Sequence, residues 1–160
     1  MKAKKITLLS LFCALAMIMS YIESFIPLQF GIKVGLPNII IIFILYRIGI
    51  REAIAVSLVR VFLVSLLFGN IMSLAYSLSG AILSLSLMIV LKSLNIFSPI
   101  GVSVVGGITH NAAQIIVACI IMEVGQIAYY MPVLAVTGIV AGVLVGIAGS
   151  ILINKVKRLI

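Results

Sequence analysis

Residues 53–68 read AIAVSLVRVFLVSLLF, an apolar stretch interrupted at its middle by Arg60. Such a run supplies most of a transmembrane helix, which needs about 20 predominantly apolar residues. A guanidinium at that depth costs about 2.5 kcal/mol on insertion scales and more in simulations. Arg60 therefore faces a protein- or water-lined interior and meets a partner there, or it marks a binding site for something anionic.

The same apolar character extends in both directions. The chain of 160 residues is 64% hydrophobic and 9% charged, with a mean hydropathy of +1.44. Soluble domains are about half apolar and a quarter charged. The length allows one integral membrane domain over 1–160. A net charge of +8 raises the question of nucleic acid, but the basic residues cluster at segment ends rather than along one face, which argues for topology instead. Cys13 and Cys119 both lie in apolar runs and read as buried thiols, not a disulfide or metal site. Lys2, Lys4 and Lys5 before Ile6 imitate a signal sequence. The apolar run continues to Ile26, however, beyond the roughly 7–15 residues of a signal core, so it reads as a retained first helix.

Six segments follow: Ile6–Ile26, Leu36–Ile48, Arg51–Phe68, Ile71–Leu94, Pro99–Met122 and Ile127–Ile153. Pro27, Gly49, Gly69-Asn70, Asn95 with Pro99, and Gly125 punctuate them. If all six cross, the basic groups Lys2, Lys4, Lys5, Arg47, Arg51, Lys92, Lys155, Lys157 and Arg158 share one side. That side, with both termini, is expected to be cytoplasmic. Glu23, Lys33, Asn70 and Glu123 fall opposite. The expected architecture is an all-α, six-helix transmembrane bundle.

The second segment is short, about 13 residues or roughly 20 Å against a hydrocarbon core of about 30 Å. Two readings are open. It is a tilted or locally thinned span, or the preceding loop with Pro27, Gly31 and Gly35 dips inward. In the second reading Pro37 begins the helix at depth, and free amides around Leu36–Asn38 point into a cavity.

Few polar residues interrupt the helices, and their depths agree. His110 lies at the midpoint of the fifth segment, and Asn111 and Gln114 follow it. His110 and Gln114, four apart, share a face. Glu23 lies near the loop carrying Lys33 and Asn38. With Arg60 these residues outline a cavity on the outer half, suited to an anionic or carbonyl-rich small molecule. Phe30, Tyr76, Tyr129 and Tyr130 offer stacking surfaces, the last two also as interface anchors. The rival reading makes His110, Asn111 and Gln114 interhelical glue and Arg60 a structural partner of Glu23. One His, two separated Cys and no Asp form no metal set, and no cofactor is implied.

Small residues recur at helical spacing. Gly138, Gly142, Gly146 and Ser150 form a close-packing seam. Ser73, Ser77 and Ala81, beside Gly80 and Ser84, form a weaker one, and the first helix offers Ser10/Ala14 and Ala16/Ser20. Packing within the chain is the preferred use, partner docking the other. No segment has the form of a nucleotide-binding loop.

Glu23, Pro27, Lys33-Val34-Gly35-Leu36, Asn38, Arg60, Gly69, Gly80, Met88 and His110-Asn111-Ala112-Ala113-Gln114 together resemble the heptaprenyl diphosphate synthase component I family, also called the Gx transporter family. That family is similar in size and topology to S-components of energy-coupling-factor transporters. The resemblance implies an outward-facing pocket for a vitamin-like, anionic, isoprenoid- or quinone-related compound, in a multi-pass protein of a prokaryotic plasma membrane. It also implies docking on an energy-coupling transmembrane subunit with ATPases. The family's Ala-x-x-x-Ala docking motif is approximated here by Ser10/Ala14 and Ala16/Ser20. The synthase label meets a chemical objection. Prenyl diphosphate chemistry uses Asp-rich motifs to hold magnesium, and this chain has no Asp and three Glu, none adjacent. The expectation is a non-enzymatic, ligand-binding membrane subunit of a transporter. The alternative is a non-catalytic accessory component of heptaprenyl diphosphate or menaquinone biosynthesis, working with a soluble prenyl synthase.

Overall fold

The computed structural model describes residues 2–25 and 35–156; the expectations attached to Pro27, Phe30, Lys33, Lys157 and Arg158 lie outside the described residues. Among the described residues every regular element is helical. They are α1 (Lys2–Ser24), α2 (Asn38–Arg47), α3 (Ile50–Phe68), α4 (Ile71–Leu94), α5 (Pro99–Met122), a 3-10 helix (Gly125–Tyr130) and α6 (Met131–Lys155). The protein is all-α, and four segments are long and apolar enough to cross a membrane: α1, α4, α5 and residues 125–155. α3 has 19 residues but carries Arg51, Glu52 and Arg60.

Local chemistry sets the boundaries. Asn70 caps α4 in a reciprocal pair: its side chain accepts from the Ser73 amide at 2.8 Å, and the Ser73 hydroxyl accepts from the Asn70 amide at 3.0 Å. Asn95 ends α4 in the left-handed region, φ 54°. Ser98 caps α5, with Pro99 in its first turn. The sixth segment differs from expectation, because a 3-10 turn over Gly125–Tyr130 precedes the α-helix.

α2 departs furthest from the sequence reading. It spans 10 residues, not 13, and Pro37 is its N-cap rather than part of its first turn. Every residue from Ile40 to Leu45 is buried. A helix buried on all sides sits inside a bundle rather than on its surface, and α2 packs against α1, α3 and α6. The other neighbours run α1–α3, α3–α4, α4–α5 and α5–α6.

One end of the bundle gathers basic residues and uses them. The Lys5 ammonium pairs with Glu52, joining the starts of α1 and α3. Arg47 donates from Nε to the Ile153 carbonyl at 2.8 Å, and Lys92 donates to the Leu45 carbonyl. Ile153 and Leu45 lie in the last turns of α6 and α2, where helix carbonyls lack intrahelical donors. The topological reading of these cations missed this second role.

α5 and α6 run antiparallel in near backbone contact. A Cβ added at Gly138 would lie 2.9 Å from the Gly107 carbonyl oxygen, at Gly142 2.5 Å from Val104 Cα, and at Gly146 2.7 Å from Ile100 Cα. The glycine seam is therefore spent inside the chain. In lipid no hydrophobic force separates helix from tail, so such close van der Waals packing is what holds the pair.

Candidate functional site

A cavity of about 190 Å³ opens between the helices. It is lined by the last turns of α1, the second half of α3 and the face of α4 from Ser73 to Met88. Mid-helix positions of α5 and α6 and the turn leading into α2 complete it. For scale, roughly 150 Å³ of apolar cavity admits a benzene-sized guest.

Arg60 lies in this wall at 8% exposure. One terminal nitrogen donates to Ser20 Oγ at 3.3 Å, while the Nε–H has no partner among the described residues. Ser20 in turn donates its proton to the Ala16 carbonyl at 3.0 Å, leaving a lone pair turned to the guanidinium. A buried charged donor without an acceptor is a large unmet demand.

Glu23 is also buried and lines the same cavity. Its carboxylate accepts from the Gly35 amide. Gly35 stands at φ +80°, a conformation that side-chain-bearing residues rarely adopt. Glu23 thus pins α1 to the turn that starts α2. Of the free amides expected at Leu36–Asn38, that of Asn38 needs correction: Asn38 N–H bonds the Gly35 carbonyl at 2.8 Å, and next to it Ile39 N–H bonds the Leu36 carbonyl at 3.1 Å. The tight turn satisfies the Asn38 and Ile39 donors internally. What α2 offers the cavity is Pro37, the Asn38 side chain and the positive end of its dipole.

His110 and Asn111 line the cavity, and Gln114 does not. Gln114 Nε2 stands 3.2 Å from His110 Nε2, so it orients the imidazole from one turn away. The ring lies against Gly80, where an added Cβ would meet ring Cε1 at 2.7 Å. Asn111 donates to the Leu134 carbonyl at 2.7 Å, which anchors α5 to α6 at the end of the glycine seam. Lys33 falls outside the described residues.

The seams divide between roles. Gly138 and Gly142 both pack on α5 and line the cavity. On α1, Ala16 is buried and Ser20 reaches Arg60, so this pair is not an outer docking surface; Ser10 and Ala14 are exposed. The α4 stripe also needs correction. Ser73, Ser77 and Ser84 line the cavity, with Ser65 from α3 and Ser103 from α5, none of which the sequence reading chose as site residues. Spacings of four and seven along α4 place three serines on one face. That signal was visible but reads equally well as helix packing.

The arrangement presents one guanidinium, one carboxylate, one imidazole, several hydroxyls and two amides above apolar walls from Val61, Val64 and Val145. Among the described residues no group of three His, Cys, Asp or Glu side chains is placed to hold a metal. Tyr129 and Tyr130 are exposed at the start of α6.

Comparison with curated proteins and with solved structures finds no match. The sequence profile of the family described as Heptaprenyl diphosphate synthase component I matches residues 12–152. That span includes every described cavity residue, and the chain belongs to the heptaprenyl diphosphate synthase component I family.

Proposed function

We propose that this chain is a non-catalytic, membrane-embedded component of prenyl diphosphate assembly, and that the Arg60 cavity holds the anionic head of its ligand. The observation that carries this is a buried guanidinium in the wall of a polar hollow, its Nε–H without an acceptor among the described residues. Arg60, Asn38, Asn111 and His110 are its contacts, Glu23 and Gln114 its supports. The family description names a synthase component, which implies a partner. A chain without Asp leaves magnesium-dependent bond making to that partner, a soluble prenyl synthase. By the positive-inside rule the Lys5–Arg47–Lys92 end is cytoplasmic and available to it, with six spans and both termini inside.

A second reading, a substrate-binding subunit of an S-component-like transporter, is favoured by one observation. On α1, α3 and α4 the cavity lies away from the basic end, as an outward-facing pocket would, while Ser10 and Ala14 remain exposed for a coupling subunit.

Native mass spectrometry of the chain extracted from its own membrane separates the two. Co-purification with a soluble prenyl synthase supports the first reading, and with ATPase-bearing membrane subunits the second. In either case Arg60→Ala is expected to lose the bound anion, since hydrogen bonds to charged groups contribute about 1.5–3 kcal/mol, or roughly 10- to 150-fold in affinity. Undiminished anion binding in that variant sinks the assignment of the site.

A further inference from the structure

Tyr21 and Phe68 line the Arg60 cavity, yet they are 43% and 53% exposed on its outer side. They form a wall one side chain thick between the polar interior and the bundle surface. Their ring centroids are 4.8 Å apart at 42°, and Phe25, 67% exposed, meets Tyr21 edge-on at 4.8 Å. Behind them α1 and α3 are linked by the Arg60–Ser20 bond, and far below by Lys5–Glu52. Side-chain contacts of this kind part by rotation about χ1 and χ2, without moving a helix.

We propose that the ligand is an amphiphile seated sideways, its anionic head at Arg60 and its apolar chain leaving between α1 and α3 past Tyr21 and Phe68. This rests on the Arg60 site above and names the ligand class for it. A ligand with a long chain needs an exit. A hollow of about 190 Å³, on a scale where roughly 150 Å³ takes a benzene-sized guest, holds a diphosphate and a few carbons but not a long chain. Distance permits it, because Arg60 and Phe68 are eight residues apart on one helix, about 12 Å at 1.5 Å per residue. Outside the wall, Ile22, Phe62 and Leu66 are exposed and apolar, a surface along which a hydrocarbon chain lies as readily as lipid does. The rival is an ordinary interfacial aromatic cluster, which has no reason to respond to a ligand's tail.

The chain contains no tryptophan, so Phe68→Trp places a single tryptophan in the wall, excited at wavelengths where the five tyrosines do not absorb, at a position exposed enough to accept it. The variant in nanodiscs of zwitterionic phospholipid is titrated with inorganic pyrophosphate, a five-carbon prenyl diphosphate, a twenty-carbon prenyl diphosphate and phosphatidylglycerol. Affinities of the same probes are measured for the native chain and for Arg60→Ala. The twenty-carbon probe is expected to shift the emission and to bind at least about tenfold more tightly than the five-carbon probe, since each buried methylene adds to binding. Pyrophosphate is expected to leave the emission unmoved. A shift with phosphatidylglycerol at equal affinity supports the amphiphile class and identifies bulk lipid as its source. Arg60-dependent binding that ignores chain length, with unmoved emission, overturns the sideways seat and leaves the Arg60 site standing. No Arg60-dependent binding of any probe overturns both.

Discussion

The α5–α6 wall and the α1–α3 wall of this bundle solve the same problem with opposite materials. Between α5 and α6, glycines remove side chains and backbones meet, with the Asn111–Leu134 bond at the end of the seam. Between α1 and α3, long side chains span the gap: Lys5 to Glu52, Arg60 to Ser20, Tyr21 to Phe68. Glycine contact leaves no side chain to adjust between the two backbones. Side-chain bridging leaves a hollow beside it and parts that rotate. In a membrane, where burial in protein gains little over burial in lipid, close backbone packing holds the first wall, and side-chain bridges hold the second; both line the hollow.

The comparison breaks most sharply at Gly142. Gly142→Leu drives a side chain into the Val104 backbone, where no rotamer change relieves it, and overpacking typically costs about 1–3 kcal/mol or more. A loss at the upper end of that range is expected in thermal unfolding followed by size exclusion in detergent. Stability close to the native chain's would mean the seam is looser than its geometry.

Arg60→Met tests the other wall. Removing one partner of a buried ion pair costs about 3–5 kcal/mol, and the buried Glu23 is the main opposing charge acting on Arg60; the ligand role predicts a loss well below that range, together with lost anion binding. If this variant unfolds as deeply as Gly142→Leu, Arg60 is a structural strut and the contrast between the walls fails.

Glu23 sharpens the same point. Glu23→Gln keeps an acceptor for the Gly35 amide, whereas Glu23→Leu leaves that donor unmet at a cost of about 1–3 kcal/mol. Equal loss in both would show that charge toward Arg60, not the turn before α2, is what Glu23 supplies. Combining Glu23→Leu with Arg60→Leu is then expected to restore stability only if the two side chains act as a pair.

The smallest effect belongs to α1's outer face. Ser10→Leu, at an exposed position, is expected to change stability of the isolated chain by less than about 0.5 kcal/mol. A much larger change in what co-purifies would mark this face as a docking surface.

Helix positions were legible because lipid demands long apolar runs and because Asn70, Asn95 and Pro99 mark their ends chemically. His110 and Gln114 were legible as a pair from their spacing. The serines of α4 were not, since a small hydroxyl residue at spacing four serves a helix contact and a cavity wall alike. Nor were the uses of Arg47 and Lys92, whose acceptors are main-chain carbonyls that carry no residue signature.

By itself the sequence determined an all-helical, membrane-compatible chain, a seam of glycines on its last helix, and one arginine too deep to lack a purpose. These follow from local properties: run length, period and the cost of charge in hydrocarbon. Only the tertiary structure decided which partner each polar group took. It gave the Gly35 amide to Glu23, Ser20 to Arg60 and Gln114 to His110, and left the Arg60 Nε–H without an acceptor among the described residues. Hydrogen bonds are satisfied across helices, by whichever donors and acceptors the packing brings within about 3 Å, and that packing is set by contacts between segments far apart in the chain.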